Sequence, residues 1–199
     1  ISSMLVAEIA SPEAGAQVID VCAAPGGKAL HVAEKLLLAD GKMARGNANG
    51  NVSENGTGDT VSHVEARDLT ETKVELIREN IERTGLTNIS AVCRDASEPD
   101  QQSAGSADLV IADLPCSGLG VIGKKPDLKY KASPDGIESL VRLQRKILSC
   151  TQSYVKPGGT LVYSTCTVNP AENIDNVHWF LKQYPEFSLD DIHERLCPE

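Results

Sequence analysis

Short apolar runs alternate with amphipathic helical segments along almost the whole chain, and this alternation limits the fold more than any other feature of the sequence. The runs predicted as strands are residues 17–22, 61–64, 88–93, 107–112 and 160–164. Apolar residues at helical spacing predict helices over residues 28–38, 70–84, 134–156 and 172–182. The pattern therefore predicts an α/β fold with a doubly wound, mainly parallel sheet.

The length and composition fit one domain that forms its own core. The chain has 199 residues, of which 41% are hydrophobic and 24% are charged, as in ordinary globular proteins. No apolar run approaches the roughly 20 residues that a membrane-spanning helix needs, so no membrane partner is expected. Residues 1–199 are accordingly predicted to be a single domain.

Charge is unevenly distributed along the chain. The net charge of −9 argues against binding nucleic acid through the whole surface, because such binding depends on Lys and Arg neutralising phosphates. Residues 124–146, however, contain seven basic and three acidic residues and form a candidate RNA-binding face. Tyr130 lies between two of these lysines and is a candidate for stacking on a base. The alternative interpretation is a solvated helix face with a tyrosine at its rim.

One segment interrupts the alternation of strands and helices. Residues 39–60 are rich in Gly and Asn and poor in apolar residues, which predicts a long surface loop inserted between the first helix and the second strand. An insertion without a function of its own is the simpler interpretation.

The six cysteines have neither Cys-x-x-Cys spacing nor clustered histidines near them. A disulfide framework is not needed by a chain of this length, and zinc ligands would be spaced more closely. The sequence therefore predicts reduced thiols, a cytoplasmic location and no metal site.

Acidic residues and glycines follow the first three predicted strands, where ligands bind in doubly wound sheets. The first strand leads into residues 20–28, in which Gly26 and Gly27 allow a ligand to approach the backbone before a helix N-terminus. Asp68 after the second strand is a candidate partner for ribose hydroxyls, and Asp95 after the third a candidate partner for adenine. Any one of these aspartates could be a turn former, but together they fit an adenosyl cofactor. The segment lacks Gly-x-Gly-x-x-Gly, which disfavours a dinucleotide.

Two cysteines follow the fourth and fifth predicted strands. Cys116 lies in Asp113-Leu-Pro-Cys-Ser-Gly, and Cys166 lies in Tyr163-Ser-Thr-Cys-Thr. If these strands are neighbours, the two thiols face each other across one cleft. A thiolate that adds to carbon 6 of a pyrimidine makes carbon 5 nucleophilic enough to attack an electrophilic methyl group. Taken singly, each cysteine could instead be a small buried apolar residue.

These motifs resemble the catalytic domain of the Nop/Sun (Sun/Fmu) family of S-adenosylmethionine-dependent RNA cytosine-C(5) methyltransferases, and within it the bacterial 16S ribosomal RNA enzymes. The resemblance rests on residues 22–28, residues 113–118, residues 144–148, and residues 158–167 followed by Glu172 and Asn173. It implies a Rossmann-like class I methyltransferase fold, S-adenosylmethionine as cofactor and RNA as partner.

The resemblance also implies a role for each motif residue. Cys166 matches the nucleophile, Cys116 matches the cysteine that assists breakdown of the covalent adduct, and Asp113 matches an acid beside both cofactor and target base. DNA enzymes with this chemistry use the Pro-Cys cysteine as nucleophile, so exchanged roles are the main alternative. The residues that match cofactor contacts are Cys22, Ala23, Ala24, Pro25, Gly26, Gly27, Lys28, Asp68, Asp95 and Asp113.

Family members carry an RNA-binding region before this domain and a final β-hairpin after its last helix, and neither matches a segment of this chain. The expectation is a catalytic-domain fragment, with the fifth strand at an exposed sheet edge and weak affinity for RNA. Three alternatives stay open: a transfer-RNA cytosine methyltransferase, a non-catalytic RNA-binding or scaffold fragment, and an NAD-dependent oxidoreductase. The missing dinucleotide motif disfavours the last.

Overall fold

The computed structural model describes residues 2–41, 61–123 and 133–193. Most of the predicted loop 39–60, residues 124–131 with Tyr130, and Cys197 lie outside the described residues. The helices and strands, in chain order, are α1 Ser2–Ala10, β1 Gln17–Asp20, α2 Gly27–Ala39, β2 His63–Asp68, α3 Glu71–Thr84, β3 Ile89–Cys93, β4 Ala107–Asp113, α4 Pro134–Thr151, β5 Val155–Ser164 and α5 Ile174–Gln183.

The five strands form one parallel sheet in the order β3-β2-β1-β4-β5. Asp20 at the end of β1 pairs with Ile111 of β4, and Asp113 at the end of β4 pairs with Ser164 at the end of β5. The strand order reverses between β1 and β4, which is where open α/β sheets bind ligands. The predicted parallel sheet is confirmed, and in the described part of the chain β5 is an edge strand.

Helices cover both faces of the sheet, because alternate residues of each strand point to opposite sides. On β1, Val18 belongs to a core cluster with Leu36 of α2 and Ile77 of α3, whereas Ile19 belongs to a second cluster. The second cluster contains Leu148 of α4 and Phe180 of α5. The fold is therefore doubly wound, as predicted. No helix within the described ranges is long and apolar enough to cross a membrane.

The predicted fourth helix and fifth strand have different bounds in the structure. The fourth helix ends at Thr151 instead of continuing to residue 156, and the Pro-Gly-Gly segment lies inside β5. Gly158 has φ 81, and a Cβ at Gly159 would lie 2.9 Å from the carbonyl oxygen of Asp108. The glycines therefore allow an irregular pairing of β5 with β4 near Leu109 instead of ending a helix.

The second strand is His63–Asp68, not residues 61–64. The apolar run in the sequence ends too early because the carboxyl half of the strand contains charged residues that are buried in the structure. Arg67 is only 4% exposed. Its guanidinium lies 2.5 Å from Glu65, 3.2 Å from Asp100 and 2.6 Å from the Ser103 hydroxyl. It also lies 5.4 Å from the ring centroid of Tyr154. A charged residue breaks the apolar pattern of the sequence, but partners from outside the strand make its burial favourable.

Asp100 depends on the same cluster. Burial alone would raise its pKa, but the hydrogen bond from Ser103 and the charges of Arg94 and Arg67 hold the pKa of Asp100 below its usual value. Asp100 is thus a buried carboxylate whose charge is compensated by its neighbours.

We expect Arg67→Met to lower the free energy of unfolding by about 3–5 kcal/mol, because it leaves the buried Asp100 carboxylate without a main partner. Urea denaturation measures this change. The matched control is Arg78→Met on α3, whose partners Glu71 and Glu75 are exposed, so its effect on the free energy of unfolding should be much smaller. Equal effects of the two substitutions would contradict this account of β2.

Candidate active site at the carboxyl ends of the strands

The loop after β1 is held close to β2 and α3. Ala23 N–H donates to the carbonyl of Arg67 at 2.8 Å, and the Asn80 side chain donates to the carbonyl of Pro25 at 2.9 Å. Gly26 has φ 107, a backbone conformation that a residue with a Cβ rarely adopts. Within the described part of the chain no side chain caps α2, and the first N–H groups of a helix are suited to binding a ligand.

Asp68 contacts this loop directly. Its buried carboxylate accepts a hydrogen bond from Ala24 N–H at 3.0 Å and one from Leu69 N–H at 2.8 Å. Lys73 of α3 lies 3.0 Å from the same carboxylate. Asp68 therefore links the glycine-rich loop to the end of β2, at the sheet edge where the cofactor is predicted.

Asp95 is a turn former in the structure, the alternative that the sequence left open for it. Its carboxylate accepts the Ser97 N–H at 2.8 Å, and that hydrogen bond lowers the pKa of Asp95. Its carboxylate nevertheless lies just beyond β3, on the carboxyl side of the sheet. Its predicted contact with adenine stays a prediction.

The two motif cysteines lie side by side. Their Sγ atoms are 3.2 Å apart, and Cys166 N–H donates to Cys116 Sγ at 3.3 Å. β4 and β5 are neighbours, as predicted, and Gly120 N–H also donates to the carbonyl of Cys166 at 3.1 Å. A Cβ at Gly120 would lie 2.9 Å from that carbonyl oxygen, so a glycine is what allows the two loops to approach.

The thiols differ in their surroundings. Cys116 is half-buried, and burial together with its hydrogen bond to Cys166 raises the pKa of Cys116 to about 12. Cys166 is exposed. Burial and the nearby carboxylate of Asp20 also raise the pKa of Cys22 to about 12.

Asp113 and Lys28 connect the cysteine loops to the glycine-rich loop. Lys28 Nζ lies 2.6 Å from one oxygen of Asp113, and the Ser164 hydroxyl donates to the other at 2.6 Å. These contacts pair Asp113 with a cation and a hydroxyl. Lys28 therefore lies between the glycine-rich loop, where the cofactor is predicted, and the loops that carry the two cysteines.

A buried carboxyl at the end of β1 was missed as a site residue. Asp20 is 1% exposed, and its Oδ2 has no hydrogen-bond partner among the described residues. Burial raises the pKa of Asp20 to about 7, and the nearby charge of Asp113 acts in the same direction. An aspartate that ends an apolar strand just before a glycine-rich loop was the available signal.

Glu172 is the second residue whose role the sequence does not predict, although it belongs to the motif that follows residues 158–167. It is fully buried, and its carboxylate accepts hydrogen bonds from Ser117 N–H at 2.8 Å, from Gln144 Nε2 at 3.1 Å and from the Ser117 hydroxyl. Ser117 Oγ also lies 2.9 Å from Thr167 Oγ1. Gln144 in turn donates to the carbonyl of Pro115 at 2.9 Å. These contacts attach the residues beside Cys116 and Cys166 to one buried carboxylate.

The described part of the predicted basic face has local partners. Arg142 pairs with Glu138, Lys146 Nζ lies 2.8 Å from Glu98, and the Arg145 guanidinium lies 5.1 Å from the Trp179 ring centroid. These contacts fit the solvated helix face that was the alternative interpretation. Within the described ranges, no three His, Cys, Asp or Glu residues are grouped as metal ligands.

Comparison with known proteins adds to this geometry. A family model for the 16S rRNA methyltransferase RsmB/F matches residues 57–196, more than half of the chain. The chain belongs to the RsmB/F methyltransferase family. This confirms the family that was predicted from the motifs around Cys116 and Cys166.

Curated RsmB relatives are longer than this chain. The "Probable ribosomal RNA small subunit methyltransferase B" of Bacillus subtilis is 39% identical over 199 residues, which are 100% of this chain and 40% of the relative. The "Ribosomal RNA small subunit methyltransferase B" of Vibrio cholerae is 37% identical over 180 residues, 90% of this chain and 36% of the relative. The chain thus spans about two fifths of the length of these relatives.

Solved structures agree with the family and the fold. NSun6 from Pyrococcus horikoshii, solved with SFG, superposes with a TM-score of 0.72 at 30% identity, over 91% of this chain and 40% of that one. A SAM-dependent O-methyltransferase from Thermotoga maritima superposes with a TM-score of 0.54 at 17% identity, over 93% of this chain and 49% of that one, and shares the fold alone. The predicted Rossmann-like class I methyltransferase fold is confirmed.

The raised pKa of Asp20 predicts a pH-dependent stability difference. Between its ordinary pKa of 3.8 and its folded pKa of about 7, the unfolded state loses this proton before the folded state does, so folding is progressively weakened as pH rises. Asp20→Asn removes this effect. We expect the stability of Asp20→Asn relative to the unchanged protein to rise by about 2–3 kcal/mol from pH 5 to pH 8.

Urea denaturation at both pH values measures this difference. Glu79→Gln, at an exposed position of α3, is the control and should follow the pH profile of the unchanged protein. Parallel profiles for Asp20→Asn and the unchanged protein would show that Asp20 is not a buried acid with a raised pKa.

Proposed function

We propose that the chain is the catalytic core of an RNA cytosine-C(5) methyltransferase that uses S-adenosylmethionine and acts on 16S ribosomal RNA. The observation that carries this proposal is the pair of thiols 3.2 Å apart at the ends of β4 and β5. The ion pair between Asp113 and Lys28 links the strand ends that carry these thiols to the glycine-rich loop after β1. Membership in the RsmB/F family supports the ribosomal substrate. A cytoplasmic location stays a prediction.

The residues at the edge formed by β1, β2 and β4 fit a cationic adenosyl cofactor. Asp68 and the first N–H groups of α2 are suited to the ribose and to the polar end of the cofactor. The buried Asp20 carboxyl, with an oxygen that has no partner in the described structure, favours a positive charge nearby. When bound, S-adenosylmethionine supplies an electrophilic methyl group.

Cys166 is the proposed nucleophile, because its thiol is exposed at the mouth of the site. Its sulfur adds to carbon 6 of the cytosine, and the electron pair of the carbon 5–carbon 6 double bond moves so that carbon 5 becomes nucleophilic. After carbon 5 is methylated, a base removes its proton and the Cys166 sulfur leaves as the double bond reforms. The target base reaches such a site only after leaving its stack.

Cys116 is the proposed assistant in the last step. It is in contact with Cys166, and its raised pKa keeps it as a thiol at neutral pH. The Cys116 S–H can donate a hydrogen bond to the Cys166 sulfur and stabilise the negative charge that develops on it as it leaves carbon 6. The Glu172 network holds Cys116 at this distance.

Covalent trapping on RNA that contains 5-fluorocytidine tests this mechanism. Fluorine on carbon 5 cannot leave as a proton does, so a complex that resists denaturing electrophoresis should accumulate when S-adenosylmethionine is present. We expect Cys166→Ser to abolish the complex, because no sulfur adds to carbon 6. Cys116→Ser should retain it, and the control Cys93→Ser, which alters an exposed cysteine at the end of β3, should leave its yield unchanged.

The outcomes separate the alternatives. Loss of the complex in Cys116→Ser with retention in Cys166→Ser would reverse the two roles. A complex with transfer-RNA fragments but not with 16S fragments would replace the proposed substrate. No complex with either RNA under conditions in which the cofactor binds would remove the proposed chemistry from this chain.

Cofactor binding is tested by calorimetric titration with S-adenosylhomocysteine, with NADH as the comparison ligand. We expect binding of S-adenosylhomocysteine alone, and a loss of affinity of at least about tenfold in Asp68→Ala, because two loop amides and the ribose lose their acceptor. Asp135→Ala, at an exposed position in the first turn of α4, is the control and should bind normally. Binding of NADH would favour the oxidoreductase alternative.

A further inference from the structure

The sulfur atoms of Cys116 and Cys166 are already close to bonding distance. Their separation of 3.2 Å compares with about 2.0 Å in a disulfide. Fifty positions separate the two cysteines in the sequence, so the fold has already met the entropic cost of bringing them together. Only a small displacement of either side chain is needed to join them.

The surrounding structure keeps the two sulfurs adjacent. Gly120 N–H binds the carbonyl of Cys166, and Cys166 N–H binds Cys116 Sγ. Beyond the cysteines, Ser117 contacts both Thr167 and the buried carboxylate of Glu172. These contacts hold the two cysteine loops against each other and keep the two sulfurs adjacent.

The other described cysteines have different neighbours. Cys93 Sγ donates to the carbonyl of Leu69, and Cys150 Sγ donates to the carbonyl of Ser97. Cys22 lies within the loop after β1 and packs against the second core cluster. Among the cysteines that the structure describes, Cys116 and Cys166 are the one pair with a sulfur–sulfur contact.

We infer that Cys116 and Cys166 form a reversible redox pair, which a peroxide oxidises to an intramolecular disulfide. The exposed Cys166 sulfur attacks a peroxide oxygen, the oxygen–oxygen bond breaks, and a sulfenic acid and water form. The Cys116 sulfur then attacks the Cys166 sulfur, the sulfur–oxygen bond breaks, and a second water leaves with the remaining proton. Overall, two thiols and one hydrogen peroxide give one disulfide and two waters.

The disulfide has a consequence that rests on the proposed function. A Cys166 sulfur bonded to Cys116 cannot add to carbon 6 of cytosine, so the oxidised protein is inactive as a methyltransferase. A thiol reductant restores both residues. The disulfide also keeps Cys166 from advancing to sulfinic acid, which thiols do not reverse. Oxidation therefore inactivates the protein reversibly and does not modify Cys166 irreversibly.

Mass spectrometry of the protein treated with hydrogen peroxide tests the disulfide without any assay of activity. We expect the intact mass to fall by two hydrogens and a cross-linked peptide to join Cys116 to Cys166, both reversed by dithiothreitol. The control Cys93→Ser should behave in the same way. Cys116→Ser should instead gain oxygen at Cys166, because the resolving thiol is absent.

Two results would overturn the inference. One is gain of oxygen atoms by the unchanged protein without loss of hydrogens, and the other is a cross-link that joins a different pair. A second experiment tests the effect on function by measuring the yield of the covalent complex with 5-fluorocytidine RNA before oxidation, after oxidation and after reduction. We expect oxidation to lower this yield by at least about tenfold and reduction to restore it fully. If the disulfide forms but no RNA is ever trapped, the redox pair stands and the proposed function fails.

Discussion

The carboxylate of Glu172 is the contact on which the arrangement of the two cysteine loops depends. It lies in the protein interior, and its oxygens accept hydrogen bonds from the backbone and hydroxyl of Ser117 and from the side chain of Gln144. A buried carboxylate is costly unless such donors surround it, and removing one donor leaves a charge that the interior cannot stabilise. The Cys116 loop is therefore held in one position by the same contacts that make the buried charge tolerable.

This network also accounts for the contrast between the two thiols. The carbonyl of Glu172 accepts the Tyr163 hydroxyl on β5 at 2.6 Å, and Asn176 of α5 donates to Gln144 at 2.7 Å. The residues behind the cysteines thus form a fixed polar wall that extends from α4 to β5. Cys116 is packed against that wall and half-buried, whereas Cys166 faces outward. One fixed thiol with a raised pKa beside one exposed thiol is the asymmetry that a nucleophile and its assistant require.

The sequence allowed the parallel sheet and the cysteine pair to be predicted, since both depend on local patterns. Apolar runs identify strands, and residues that follow neighbouring parallel strands must meet at one edge. Arg67 and Glu172 could not be treated in the same way. A charged residue inside an apolar pattern reads as a surface position, and its burial depends on partners such as Asp100 or Gln144 that are distant in sequence. The role of Asp95 was ambiguous for the opposite reason, because one short-range hydrogen bond to Ser97 makes it a turn former whatever else it binds.

The charges at the ends of β1, β2 and β4 bear on the choice of cofactor. Three carboxylates lie within electrostatic range of one another, those of Asp20, Asp68 and Asp113. Lys73 compensates the charge of Asp68 and Lys28 that of Asp113, while Asp20 is left with a pKa of about 7. A pyrophosphate brought to this edge would add negative charge beside these carboxylates, and the repulsion would be strong in a partly buried site. A ligand with positive charge would instead favour the ionised form of Asp20. The electrostatics of the site thus support a cationic adenosyl cofactor over a dinucleotide, independently of the glycine pattern in the loop after β1.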